Sequence, residues 1–128
     1  MKQLRVLVVD DSPAVRRILV RLIQRVSTGD VDVREAANGI EALAALQDSW
    51  VHLIFCDIGM PAMGGIEFVK RIRQDKSLSH IPVVMISAGG TEASVMQAVE
   101  AGAAGYLRKP FTMEQIRDYL HSPLLSAS

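Results

Sequence analysis

Three short stretches of the chain are apolar without interruption: Val6-Leu7-Val8-Val9, Leu53-Ile54-Phe55-Cys56 and Val83-Val84-Met85-Ile86. None of them alternates with polar residues. Strands buried on both faces have this pattern, as in a parallel sheet covered by helices on each side. Two weaker segments read as further strands. Val31-Asp32-Val33-Arg34-Glu35 alternates apolar with polar and suits an edge, and Gly105-Tyr106-Leu107 follows a turn rich in Gly and Ala.

Between these runs the period changes from two to 3.6. Val15, Ile18, Leu19, Leu22, Ile23 and Val26 predict a first helix, with Ser12 as N-cap, Pro13 at its first position and Arg17, Arg21 and Arg25 along another face. Asn38 with Glu41 predicts the start of a second, whose buried stripe is Ile40, Leu43 and Leu46. Ile66, Phe68, Val69 and Ile72 mark a third. Val95, Met96, Val99 and Ala103 mark a fourth, running into Gly102. Thr112 and Gln115 make a capping-box pattern before Ile116, Tyr119 and Leu120. Strict alternation of strand and helix predicts an α/β fold, with right-handed crossovers, a parallel sheet and helices on both faces.

The 128 residues suffice for one domain with a real core. That domain is expected over residues 1–122, with a frayed tail over 123–128. Lys and Arg together number 14 and so do Asp and Glu, so nothing favours a general affinity for nucleic acid or anionic membrane. The single Cys56 excludes an internal disulfide framework and a cysteine-rich zinc site, and reads as a small core hydrophobe. No apolar run approaches the ~18 residues of a membrane span, and none follows Lys2 and Arg5 as a secretory segment would. The expectation is a cytoplasmic protein without membrane insertion. His52, His80 and His121 show no ligand spacing and are expected at the surface. Met60, Met63, Met85, Met96 and Met113 are expected to fill gaps.

The chemistry lies at the strand ends. Asp10 and Asp11 follow the first apolar strand, Asp57 the third and Ser87 the fourth, and Lys109 lies just beyond the fifth. In an open parallel sheet these ends share one edge, where ligands bind. Three carboxylates, a hydroxyl and an ammonium thus converge. Three clustered carboxylates repel one another unless one is protonated or a hard cation is shared. Mg²⁺ suits such an all-oxygen site, and with Lys109 it would leave the pocket near neutrality and able to accept a phosphoryl group. A carboxylate can attack phosphorus, with Ser87 Oγ and backbone amides near Gly59 donating to the phosphoryl oxygens. Charge counting leaves the nucleophile open. Asp57 stands alone, and the Asp10–Asp11 pair reads more naturally as the metal holder.

The set Val8-Val9-Asp10-Asp11-Ser12, Asp57-Ile58-Gly59-Met60-Pro61-Ala62-Met63-Gly64-Gly65, Met85-Ile86-Ser87-Ala88 and Lys109-Pro110-Phe111 resembles the receiver domain of two-component response regulators, in particular the single-domain chemotaxis type. The resemblance covers essentially the whole chain. It implies a flavodoxin-like, doubly wound, five-stranded parallel sheet of order 2-1-3-4-5 with five helices. It also implies that Asp57 is the phosphoacceptor, supplied by a sensor histidine kinase, a histidine phosphotransfer protein or a small phosphodonor. Asp10, Asp11, Asp57 and the Gly59 carbonyl would hold Mg²⁺. Ser87 and Lys109 would bind the phosphoryl group, and Ser87 and Tyr106 would form a switch controlling a downstream output protein or domain. The Lys109–Pro110 bond would be cis. Such a protein catalyses only its own phosphorylation and dephosphorylation. Met1 and the short tail suit a free-standing receiver or the N-terminal part of a longer regulator.

Two positions depart from the commoner pattern. Gly59, two past Asp57, and Gly89, two past Ser87, leave the pocket mouth without side chains, and Gly89-Gly90 predicts a flexible loop. Two other functions compete. An Mg²⁺-dependent phosphatase with an aspartate nucleophile usually carries a second Asp two residues on, where Gly59 stands. A phosphorylation-independent, degenerate receiver usually lacks an acid or the lysine, and all are present here. The Arg17, Arg21, Arg25 stripe reads as a solvated face or, less simply, as part of a docking surface for an acidic partner.

Overall fold

The computed structural model describes residues 3–27, 29–89 and 92–121. The expected tail over 123–128 lies outside them, as does Gly90 of the Gly89-Gly90 pair. In chain order the elements are β1 (Leu4–Val9), α1 (Pro13–Val26), β2 (Val31–Ala36), α2 (Gly39–Asp48), β3 (Leu53–Asp57), α3 (Gly65–Gln74), β4 (Val83–Ser87), α4 (Glu92–Ala101), β5 (Gly105–Arg108) and α5 (Met113–Leu120). The five strands are all parallel and run β2-β1-β3-β4-β5, which is a flavodoxin-like sheet. The order reverses at β1, so a crevice opens at the carboxyl ends of β1 and β3.

The uninterrupted runs have two apolar faces because each face meets its own layer of helices. Leu7, Val9, Ile54, Cys56, Val83 and Met85 point to one side, against Ala42 and Leu46 of α2, Phe68, Val69 and Ile72 of α3, and Ala98 and Ala101 of α4. Val6, Val8, Leu53, Phe55, Val84, Ile86 and Leu107 point to the other, against Leu19, Ile23 and Val26 of α1 and Ile116 and Leu120 of α5. The two-residue period of a strand sorts them, and register keeps each layer level: Val8 pairs with Phe55 and Phe55 with Val84.

The helix starts follow their capping residues. Ser12 Oγ accepts from Val15 N at 3.3 Å and Asn38 Oδ1 from Glu41 N at 2.9 Å. Thr112 and Gln115 form the reciprocal box. Gly102, at φ 108°, ends α4: its N–H bonds Val99 O at 3.0 Å, and Ala103 N bonds Ala98 O at 2.9 Å. Ala103 therefore lies past the helix it was expected to mark. The Lys109–Pro110 bond is cis.

Four expected core positions are exposed: Ile18, Ile40, Met96 and Val99. In α2 the buried positions are Gly39, Ala42 and Leu46. Gly39 donates to Met63 O at 3.2 Å, and a Cβ there would lie 2.6 Å from Met63 Cγ, so the close approach fixes the helix phase and turns Ile40 outward. In α4 the buried face is alanine, which lets the helix lie close to the sheet and leaves Met96 and Val99 on the outside. Met96 is thus no gap-filler, whereas Met63 and Met85 are buried. His52 is also not a plain surface residue. It is half-buried, its Nδ1 accepts from Arg5 N at 3.0 Å, and its ring meets Trp50 edge-on at 4.3 Å.

Candidate phosphoryl-acceptor site

Asp10 is the first residue past β1 and is fully buried. Every polar group it has is engaged. Its N–H continues the ladder to Ala36 O at 3.1 Å, Oδ1 accepts from Ser12 N at 2.8 Å, and Oδ2 lies 3.2 Å from Lys109 Nζ. Its carbonyl accepts from Arg16 Nη1 at 2.6 Å, while Arg16 Nε reaches Glu35 at 3.0 Å. Burial without partners would be costly, and here each carboxylate oxygen has a donor, which fixes the side chain while leaving acceptor capacity on both oxygens. Asp11, one residue on, is exposed.

Asp57 ends β3 and is 7 % exposed. Its Oδ1 lies 3.6 Å from Lys109 Nζ, so one ammonium bridges Asp10 and Asp57. One carboxylate oxygen from each of Asp10, Asp11 and Asp57 lies within 4.8 Å of the other two. Burial first, and then the neighbouring Asp10, push the Asp57 carboxyl above its ordinary range; Lys109 opposes this and Asp11 adds to it. Burial, with Asp57 and Asp10 behind it, also pushes the Cys56 thiol up, which keeps it neutral and inert beside the site. Three carboxylates against one ammonium leave an excess of negative charge. Hard oxygen donors at this spacing fit a hard divalent cation, which would relieve that excess.

The loop after Asp57 is fastened at both ends. Ile58 N donates to Ile86 O at 3.0 Å and Gly65 N to Ile58 O at 2.9 Å. Gly65 has no room for a side chain, since a Cβ would press on the Asp57 carbonyl oxygen and lie 2.6 Å from Met85 Cε. Ala62 takes a left-handed conformation at φ 68°, unfavourable for any residue with a Cβ. Nothing lies within 4 Å of a Cβ built on Gly59 or Gly89. Ser87 ends β4, one residue beyond the partner of Asp57, and its Oγ accepts from Gly89 N at 3.3 Å. Lys109 N donates to Ser87 O at 2.8 Å, which aligns the lysine with the strand end. Tyr106, opposite Met85, is half-buried, and its hydroxyl is buried with no hydrogen-bond partner among the described residues.

Asp10, Asp11, Asp57 and Lys109 are thus brought together, with Ser87 on the adjoining strand end and Tyr106 two strand positions below Arg108, the partner of Ser87. Arg16 and Gly65 were not singled out from the sequence. Arg16 carries a signal, standing one residue off the Arg17, Arg21, Arg25 stripe and so turning back toward β1. Gly65 carries none beyond its place in the loop motif.

The response regulator receiver domain family matches residues 6–121. The chain is 36% identical over 126 residues to a chemotaxis protein CheY homolog of Campylobacter jejuni, covering 98% of this chain and 95% of that one. Among solved structures, the chemotaxis response regulator CheY4 of Vibrio cholerae superposes with a TM-score of 0.83 at 33% identity, covering 93% of this chain and 97% of the other. The response regulator Rcp1, solved in a Mn(2+)-bound form, superposes at 0.79 with 27% identity, covering 97% and 96%. The chain belongs to the response regulator receiver family, and its fold is CheY-like.

Proposed function

We propose that the chain is a phosphorylation-driven signalling switch in which Asp57 accepts a phosphoryl group. The observation that carries this reading is the Asp57 carboxylate, nearly buried at the end of β3, with Lys109 Nζ at 3.6 Å and two further carboxylates beside it. An Asp57 oxygen attacks phosphorus and forms a new P–O bond. The bond to the donor breaks, and the leaving atom, a histidine nitrogen or an acetate oxygen, takes the electron pair. Water reverses the modification, releasing inorganic phosphate and restoring the carboxylate. Phosphoryl transfer asks the protein mostly for positioning and charge stabilisation. Lys109 supplies an ammonium to a phosphoryl oxygen, and Ser87 Oγ supplies a hydrogen bond.

Asp10, Asp11, Asp57 and the Gly59 carbonyl would hold Mg²⁺, and that Rcp1 was solved in a Mn(2+)-bound form supports divalent-ion binding by this fold. When bound, the ion neutralises phosphoryl charge as a Lewis acid. The unpartnered Tyr106 hydroxyl is the natural moving part. An unmet buried hydroxyl costs about 1–3 kcal/mol, so a second position that gives it a partner would compete with the present one. Partners are a sensor histidine kinase or histidine phosphotransfer protein and an output protein or domain, in the cytoplasm. No helix among the described residues is long and apolar enough to cross a membrane. With Gly59 two residues past Asp57, no side chain there can act as the general acid of a turnover phosphatase.

The test is incubation with Mg²⁺ and acetyl phosphate, read by intact mass. Wild type gains one phosphoryl group, and Asp57→Asn gains none. Equal uptake by Asp57→Asn, or no uptake by wild type from acetyl phosphate or any histidine donor, overturns the reading.

A further inference from the structure

Arg73, in the last turn of α3, is a half-buried cation with no carboxylate partner among the described residues. Its Nε and Nη1 donate to three backbone carbonyls. Nε donates to Gly102 O at 3.0 Å, and Nη1 donates to Ser79 O at 3.1 Å and Ile81 O at 2.9 Å. Those carbonyls belong to two different places. Gly102 closes α4, and Ser79 and Ile81 lie in the segment that feeds β4, the strand ending at Ser87. The fit is close on both sides: a Cβ at Gly102 would lie 2.8 Å from Arg73 Cγ and 3.0 Å from Nε, and the φ of 108° there suits glycine alone. A cation at the carboxyl end of a helix also complements the exposed carbonyl dipoles of that end.

The buried side chains of α4 lie toward one end. They are Ala98 and Ala101, both in its second half, beside the Arg73 contact. Met96 and Val99 face solvent, and the helix begins close after the Ser87–Gly89 turn. One end of α4 is therefore fastened through Arg73 to the segment that feeds β4, and the helix begins at Glu92, on the chain that leaves the same strand at Ser87.

We propose that Arg73 is a positioning residue for the switch: it holds the carboxyl end of α4 fixed on the start of β4, so that a rearrangement at Ser87 turns α4 about that end. This role rests on the phosphorylation reading above. Without the fixed end, movement at Ser87 is absorbed by α4 sliding as a whole, and less of it reaches Met96 and Val99. Arg73 touches neither the carboxylates nor Lys109, so the chemistry at Asp57 does not need it.

The experiment uses the full chain carrying Arg73→Gln, Arg73→Lys or Gly102→Ala; the last dislodges the guanidinium from the other side. A mild substitution in the opposite core, Ile116→Val, controls for general destabilisation. Mg²⁺ affinity and the initial rate of acetyl-phosphate uptake stay within about twofold of wild type. Amide exchange at Ala98 and Ala101 in the unphosphorylated protein speeds up by about tenfold in Arg73→Gln and Gly102→Ala. The phosphorylation-dependent NMR shift of the Val99 methyls falls below about half, with Arg73→Lys, one donor group in place of a fork, intermediate. Wild-type exchange and methyl response in Arg73→Gln, or the same losses in Ile116→Val, overturn the proposal. If Arg73→Gln does not fold, Arg73→Lys and Gly102→Ala decide by the same readouts. Failure of wild type to take up phosphate would instead overturn the phosphorylation reading, while the exchange data on unmodified protein still report on the Arg73 attachment.

Discussion

Asp57 sits where its own charge is unwelcome, and that has a measurable sign. Its carboxyl is pushed up in the folded, metal-free protein, chiefly by burial and then by Asp10. The folded state therefore binds this proton more tightly than the unfolded chain does. Stability from this group is fully present below the ordinary carboxylate range and is lost as pH rises through the raised value. Urea denaturation in EDTA across that interval is expected to show wild type losing stability with rising pH and Asp57→Asn losing less. Identical slopes would mean that Asp57 feels no such pressure. Ala62 is a second residue-scale liability. At φ 68° its Cβ is strained, and Ala62→Gly removes that strain while adding some unfolded-chain freedom. A net gain of about 0.5–1 kcal/mol is expected by denaturation; a loss would show that the loop tolerates Ala62 without strain. The acids and Lys109 were legible in the sequence because each follows an apolar strand, and topology brings strand ends together. Arg16 was harder to see, because its role is to hold a backbone carbonyl, which no side-chain motif announces.

At the scale of elements, the β3–α3 connection does more than link a strand to a helix. It wraps so tightly that Gly65 rests on the backbone of Asp57 itself. Gly65→Ala must push the Asp57 carbonyl or Met85 aside, and a loss of about 1–3 kcal/mol in stability is expected, as for other overpacked positions. Because the displaced atom belongs to Asp57, Mg²⁺ affinity read by a thermal-shift titration should fall as well. A destabilised variant with unchanged Mg²⁺ affinity would show that the loop and the carboxylate are mechanically independent. The helices also mark how far hydrophobic pattern can be trusted. The starts of α1, α2 and α5 were legible because capping is local chemistry between residues three apart. The inward faces of α2 and α4 were legible only in part: Leu46 is buried as expected, but small residues set the rest. There Gly39, Ala42, Ala98 and Ala101 allow close approach, and small residues win the core while Ile40, Met96 and Val99 are left outside. Tertiary closeness decided those faces, and a count of large apolar side chains cannot see it.

For the molecule as a whole, strand order and layering followed from the alternation of strand and helix together with the resemblance to receivers. Right-handed crossovers on that strand order also set α1 on one face and α2, α3 and α4 on the other, so only the side taken by α5, which follows the last strand, stayed invisible. The sheet separates the side chains of α1 and α5 from those of α2, α3 and α4 into two cores with no residue in common. Substitutions that trim one core should not be felt in the other. Ile23→Val and Ile72→Val, on opposite faces, are each expected to cost about 0.5–1.5 kcal/mol. Their double variant should equal the sum to within about 0.5 kcal/mol. A larger discrepancy in a double-mutant cycle would mean that the sheet itself shifts to relieve strain.

This partition also has a consequence for lineages. A new recognition surface can be tried out on one flank by drift in its helices, while the opposite flank keeps whatever it already greets. The acidic rim at the strand tips belongs to the sheet and is reached by α1 through Arg16 and by α3 through Gly65, so drift that spares those two positions leaves it in place. A fold of this kind can change its conversation partners one at a time.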